Sequence, residues 1–121
     1  MGAWKGQPQG WPWDVPAPDD TAFAGRAGAW LAAEAVPAWM GLSVSTLHDV
    51  PYAAARLGWR YRRAELEEHV RQTRELRRDL RQAGLAPPVV DEVVRAALGR
   101  GRHLERTLEG LAALGEHLRD R

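Results

Sequence analysis

Four histidines, His48, His69, His103 and His117, are the only imidazoles in a 121-residue chain that contains no cysteine. A transition-metal site needs three or four ligands converging at about 2 to 2.5 Å, and helical sites supply them through HExxH or ExxH spacing. Glu65 and His69 stand one helical turn apart, and His103 and His117 two heptads apart, without either motif. The pattern predicts surface or seam-edge histidines and no metal. Ser43, Ser45, Thr46 and His48 bring hydroxyl and imidazole together in sequence, yet no G-x-S-x-G elbow or glycine pair accompanies them to shape an oxyanion site. Helix capping accounts for the same hydroxyls. The glycines of AGRAG at 24–28 and GRG at 99–101 follow no predicted strand, so neither is a phosphate loop. With no converging acid, base and nucleophile, the expectation is a non-enzyme without a cofactor.

The arginines have more pattern. Arginine outnumbers lysine 16 to 1, a bias expected of a GC-rich genome, and the net charge is only +1. Residues 1–55 carry 2 basic and 5 acidic groups, residues 56–84 carry 9 and 5, and residues 85–121 carry 6 and 6, so only the middle third is basic. On a helix at about 100° per residue, Arg56, Arg60, Arg63, Arg71, Arg74, Arg77, Arg78 and Arg81 fall within about 60° of one direction, and Arg62 alone lies off it. Glu65, Glu68, Glu75 and Asp79 occupy another face, and Glu67 is placed to pair with Arg71. Such a stripe is a solvated flank of a packed seam, a guanidinium surface for carboxylate or phosphate, or the partner of the acidic stripe on another copy. Zinc-finger spacing, an RNP-like aromatic strand and a Gly-rich clamp are all absent, which leaves the stripe as the sole support for nucleic acid.

These residues require long helices to hold them. Prolines and glycines before residue 19 block helix and predict a Trp/Pro-rich arm over 1–18, followed by a single helical domain over 19–121. Asp19 or Asp20 is a candidate cap for a first helix over about 20–35, with Phe23, Ala27, Trp30 and Leu31 on one face and Pro37 ending the run. Residues 37–45 read as a connector, with Ser45 or Asp49 as the cap of a second helix over about 50–83 that admits Pro51 in its first turn. Gly84-Leu85 matches a left-handed C-cap, and Pro87-Pro88 opens a last helix over about 87–119. Val90, Val94, Ala97, Gly101, Leu104, Leu108, Leu111, Gly115 and Leu118 then alternate spacings of four and three over about four heptads. Leu66, Val70, Thr73, Leu76 or Arg77, and Leu80 form the facing seam. The fold class is therefore all-α: a long antiparallel helical hairpin with a short N-terminal helix and the arm laid over it. Gly101 and Gly115 leave room for a large side chain opposite, with Trp59 or Tyr61 at the level of Gly115.

Residues 12–31, PWDVPAPDDTAFAGRAGAWL, resemble the opening of short, uncharacterised helical proteins of high-GC actinobacteria. The resemblance implies a bacterial cytoplasmic setting and assigns no functional residue. The cysteine-free composition and the lack of an apolar h-region behind Lys5 lead to the same cytoplasmic expectation. The longest apolar window, 21–44, is broken by Arg26, Glu34 and Pro37, so no membrane span is expected.

The function expected is a helical adaptor or assembly protein that associates with itself or with a protein partner through apolar seams flanked by Arg and Glu stripes. The expected contact residues are Trp11, Trp13, Arg63, Arg71, Arg74, Arg78 and Arg81. The alternative expectation is a small nucleic-acid-associated regulator that uses the arginine stripe.

Overall fold

A computed structural model describes residues 4–119, so the first three residues of the arm and the last two of the helical domain lie outside it. The chain runs as α1 (Phe23–Trp30), a π-helical turn (Leu31–Ala35), a 3-10 turn (Ala38–Met40), α2 (Val44–Asp49), α3 (Pro51–Gln82) and α4 (Pro87–Arg119). There is no strand among the described residues. The long helices α3 and α4 pack against each other as an antiparallel hairpin.

Proline and glycine set the boundaries. Pro37 restricts the residue before it, and Val36 duly leaves the π turn in an extended conformation. Gly41 ends the 3-10 turn at φ 65°. The expected connector contains more structure than its composition suggests: Ser43 Oγ accepts from Thr46 N at 3.1 Å and starts α2, whereas α3 follows Val50 with no side-chain cap, so neither Ser45 nor Asp49 caps the long helix. Val50, held non-helical ahead of Pro51, breaks α2 from α3, and Pro51 takes the N1 position where its missing N–H costs nothing. Asp20 does not cap α1 directly; its carboxylate accepts from Ala22 N at 2.8 Å and closes the turn before the helix. At the hairpin tip Gly84 adopts φ 86°, Gly84 N donates to Arg81 O and Leu85 N to Leu80 O, the paired bonds of a Schellman cap.

The core lies at the base of the hairpin. Leu31, Ala35, Leu47, Ala55, Leu111 and Leu114 are each at most 2% exposed, and the arm adds Trp11 and Val15. The arm is docked: Trp11 stacks on Phe23 at 6.2 Å, and its Nε1 donates to Val15 O at 2.8 Å. Gly110 lets the α1 layer approach α4, because a Cβ there would lie 2.9 Å from the Trp30 ring and 3.3 Å from Pro12. Gly58 does the same on α3, where a Cβ would lie 2.7 Å from Ala35 Cβ.

Two details of the seam differ from the expectation. His69, not Val70, faces α4, with Nε2 2.7 Å from Ala97 O, and Val70 is 41% exposed. The rest of the expected row holds, with Leu66, Thr73, Leu76 and Leu80 partly buried along α3. Gly115 faces Ala55, with 3.8 Å between an added Cβ and Ala55 Cβ, and Gly101 faces the His69 ring. Trp59 and Tyr61 fill neither site: Tyr61 contacts Trp39 edge-on at 6.1 Å, and Trp59 carries Arg63 over its ring at 5.0 Å.

Candidate functional site

Glu34 is the only charged residue between Leu31 and Val36, and the π turn sets it against α4. Its Oε2 meets His103 Nε2 at 2.8 Å. Its backbone carbonyl, freed by the widened turn, accepts Arg62 Nε at 2.9 Å. Arg62 then donates Nη1 to Glu65 Oε1 at 2.5 Å, and Arg100 donates to Glu65 Oε2 at 2.7 Å. Burial pushes the Glu65 carboxyl up, but hydrogen bonds from Arg100 and Arg62, with their charges, outweigh it and hold Glu65 below the ordinary carboxylate range. Glu34, Arg62, Arg100, His103 and Thr107 line a cavity of about 160 Å³. The Trp13 ring lies 5.8 Å from that of His103 and 5.7 Å from that of Trp30.

Chemically this is a carboxylate-oriented imidazole beside a compensated set of charges. The lining hydroxyl, Thr107 Oγ1, donates to His103 O at 3.0 Å within its own helix and offers no aligned nucleophile. The network joins three segments at one point, which is a bracing arrangement. Among the described residues no group of three or more His, Cys, Asp or Glu side chains is placed to hold a metal ion. Among the described residues no helix is long and apolar enough to cross a membrane. His48 Nδ1 lies 3.4 Å from Ala24 O, and the Trp11 ring meets His117 edge-on at 6.0 Å.

The arginine stripe is present, and three of its arginines pair with carboxylates of their own helix. Arg63 reaches Glu67 at 3.2 Å, Arg78 reaches Glu75 at 3.3 Å, and Arg71 pairs with Glu68 one turn before it, not with Glu67. The Arg71 hydrogen bond holds Glu68 below the usual carboxylate range and raises Arg71 in turn. Arg77 crosses to Asp91 of α4 at 2.6 Å, and that hydrogen bond lowers the Asp91 carboxyl. Arg74 and Arg81 form no hydrogen-bonded ion pair among the described residues.

The third feature is an uncovered side. The arm, α1 and the π turn sit on one side of the hairpin, and the opposite side carries two grooves along the α3–α4 seam. The groove at the base, about 370 Å³, is lined by Tyr52, Ala55, Trp59, Leu111, Ala112 and Gly115, with Arg56, Arg60 and Glu116 on its rims. The outer groove, about 290 Å³, is lined by Val70, Thr73, Ala97, Leu98 and Gly101, with Arg74, Arg102 and Glu105 on its rims. Leu98 is 50% exposed.

The expected contact residues divide accordingly. Trp11 is engaged inside the chain's own core, and Trp13 is half-exposed beside His103. Arg63, by way of Trp59, and Arg74 border the grooves, whereas Arg71, Arg78 and Arg81 line neither. Sequence reasoning overlooked the Glu34–His103–Arg62 network, although Arg62 off the stripe and Glu34 alone in an apolar run were its signals. No protein-family model matches this chain, and no curated protein or solved structure matches it.

Proposed function

We propose that this chain is a non-catalytic helical assembly protein that engages a protein partner or another copy of itself through the uncovered side of its hairpin. The observation that carries the reading is the outer hairpin: beyond the base, α3 and α4 have only each other, and Val70 and Leu98, which line the outer groove, remain exposed. A two-helix layer buries one stripe per helix, and a third layer is needed to bury the second. Covering that side is favourable at about 25 cal/mol per Å² of apolar surface, with the flanking charges selecting partner and register. The cysteine-free composition and the resemblance of residues 12–31 support a bacterial cytoplasmic setting for it.

The nucleic-acid reading has weaker support, because Arg63, Arg71, Arg77 and Arg78 already have carboxylate partners that a phosphate backbone would have to displace. Sedimentation of the purified chain, and of the chain in native extract of its own cells, tests the assembly reading. The expected result is a species heavier than the 13.5 kDa chain in at least one of the two, reduced to monomer by Val70→Glu with Leu98→Glu. A monomer in both overturns the reading.

A further inference from the structure

The uncovered side can be read residue by residue for what would fit it. Its floor is formed by Tyr52, Trp59, Val70 and Thr73 of α3 and by Leu98, Gly101, Ala112 and Gly115 of α4. At the base α3 presents large aromatic rings, and α4 presents alanine and glycine. Each glycine costs a helix about 1 kcal/mol relative to alanine, and inside the chain Gly115 meets only Ala55, which an alanine would also have suited.

The rims are as unequal as the floors. On α3 the charges bordering this side are Arg56, Arg60 and Arg74, with Arg63 lying over Trp59. On α4 the rims carry Glu105 and Glu116 together with Arg102 and Arg119. Within the chain Ala55 lies beside Gly115 and His69 beside Gly101, so residues of α3 and α4 at one level have numbers that add up to 170.

We propose that a second copy of this chain covers this side, its hairpin related to the first by a twofold axis running along the hairpins, so that the two make an antiparallel four-helix bundle. The inference rests on the assembly reading and names its partner. With that axis, α3 of one copy lies across from α4 of the other at the same level. Trp59 then meets Ala112 and Gly115 of the second copy, and Val70 meets Leu98 and Gly101. Arg56 comes to the level of Glu116 of the second copy, and Arg63 to the level of Glu105. A twofold axis across the hairpins would lay α3 on α3 and set arginine rim against arginine rim, which charge repulsion opposes. Each copy's arm and α1 layer stay outside, and the isologous contact closes at two copies.

The chain contains no cysteine, so single cysteines report the geometry directly. Arg63→Cys and Glu105→Cys chains, both altered at exposed positions, are purified separately, mixed at submillimolar concentration and oxidised. The expected products are mainly mixed Arg63→Cys/Glu105→Cys disulfides, and the unmodified purified chain sediments at twice 13.5 kDa. Predominant Arg63→Cys homodimers would overturn the arrangement. A purified chain that stays monomeric would overturn the second copy as the occupant, and the assembly reading would survive that result if the chain in native extract still sediments as a larger species.

Discussion

Glu34 and His103 are 69 positions apart in the chain, and their side chains meet at 2.8 Å. Their contact fastens the π turn to α4 beside the Arg62 bond that fastens the same turn to α3. Because the pair is only partly buried, its net worth is modest. His103→Ala is expected to lower stability in urea unfolding by about 1 kcal/mol, with no loss of helix by circular dichroism.

Gly110 and Gly99 lie on the same helix and separate two effects. Alanine is the better helix former by about 1 kcal/mol at either site. At Gly99 only a mobile Arg102 nitrogen lies within 4 Å of the new methyl, so Gly99→Ala is expected to stabilise. At Gly110 the methyl would meet the buried Trp30 ring at 2.9 Å, and overpacking costs about 1–3 kcal/mol. Gly110→Ala is therefore expected to destabilise. Midpoints of chemical denaturation for the two variants, compared with the parent, check the opposite signs.

Glu65 gives the fold a definite pH response. Its folded pKa lies below the 4.5 of the free side chain, so its contribution to stability is present above that value and is lost as pH falls through the folded pKa. Unfolding free energy is expected to drop more steeply for the parent than for Glu65→Gln as pH is lowered from about 5 to 3. Equal slopes in the two proteins would contradict the role assigned to Arg62 and Arg100.

Tryptophans of equal size in the sequence differ in the fold. Trp11 is 7% exposed and bonded to Val15 O, whereas Trp39 is 75% exposed. Trp11→Ala is expected to cost about 3–5 kcal/mol and to free the arm for proteolysis before α1. Trp39→Ala is expected to stay within about 0.5 kcal/mol of the parent. Limited proteolysis alongside thermal unfolding separates the two.

The long helices were legible because their ends are written in local chemistry. Pro51, Gly84 and Pro87 act on their own neighbours, so the expected spans of about 50–83 and 87–119 meet the observed Pro51–Gln82 and Pro87–Arg119. The placement of His69 over Val70, of Gly110 under Trp30 and of Glu34 against His103 was not legible. Each depends on how far α3 and α4 are rotated by the layer that packs on them, a choice made by contacts distant in sequence. Periodicity identifies a stripe of seam residues such as Leu66, Thr73, Leu76 and Leu80, and does not decide which of two neighbours such as His69 and Val70 turns inward within it. Arg62 shows what the pattern did contain: the arginine that failed to join the stripe is the one that joins the site.

Hydrogen exchange gives the sharpest view of the uncovered side, because protection follows the layer count. In the base, Leu104, Thr107, Leu111 and Leu114 are buried under a second layer, so their amides should open only with near-global unfolding. In the outer hairpin, Val90 is the sole fully buried side chain among residues 66–100, so amides from Leu66 to Leu80 and from Val93 to Arg100 should exchange faster in the isolated monomer. Covering the grooves at Val70 and Leu98 would close that gap, and the protection should grow with protein concentration if another copy supplies the cover. The same amides in the Val70→Glu/Leu98→Glu chain should remain fast at every concentration. Uniform protection along both helices in a dilute monomer would mean that the two-helix layer sustains itself and that no third layer is needed.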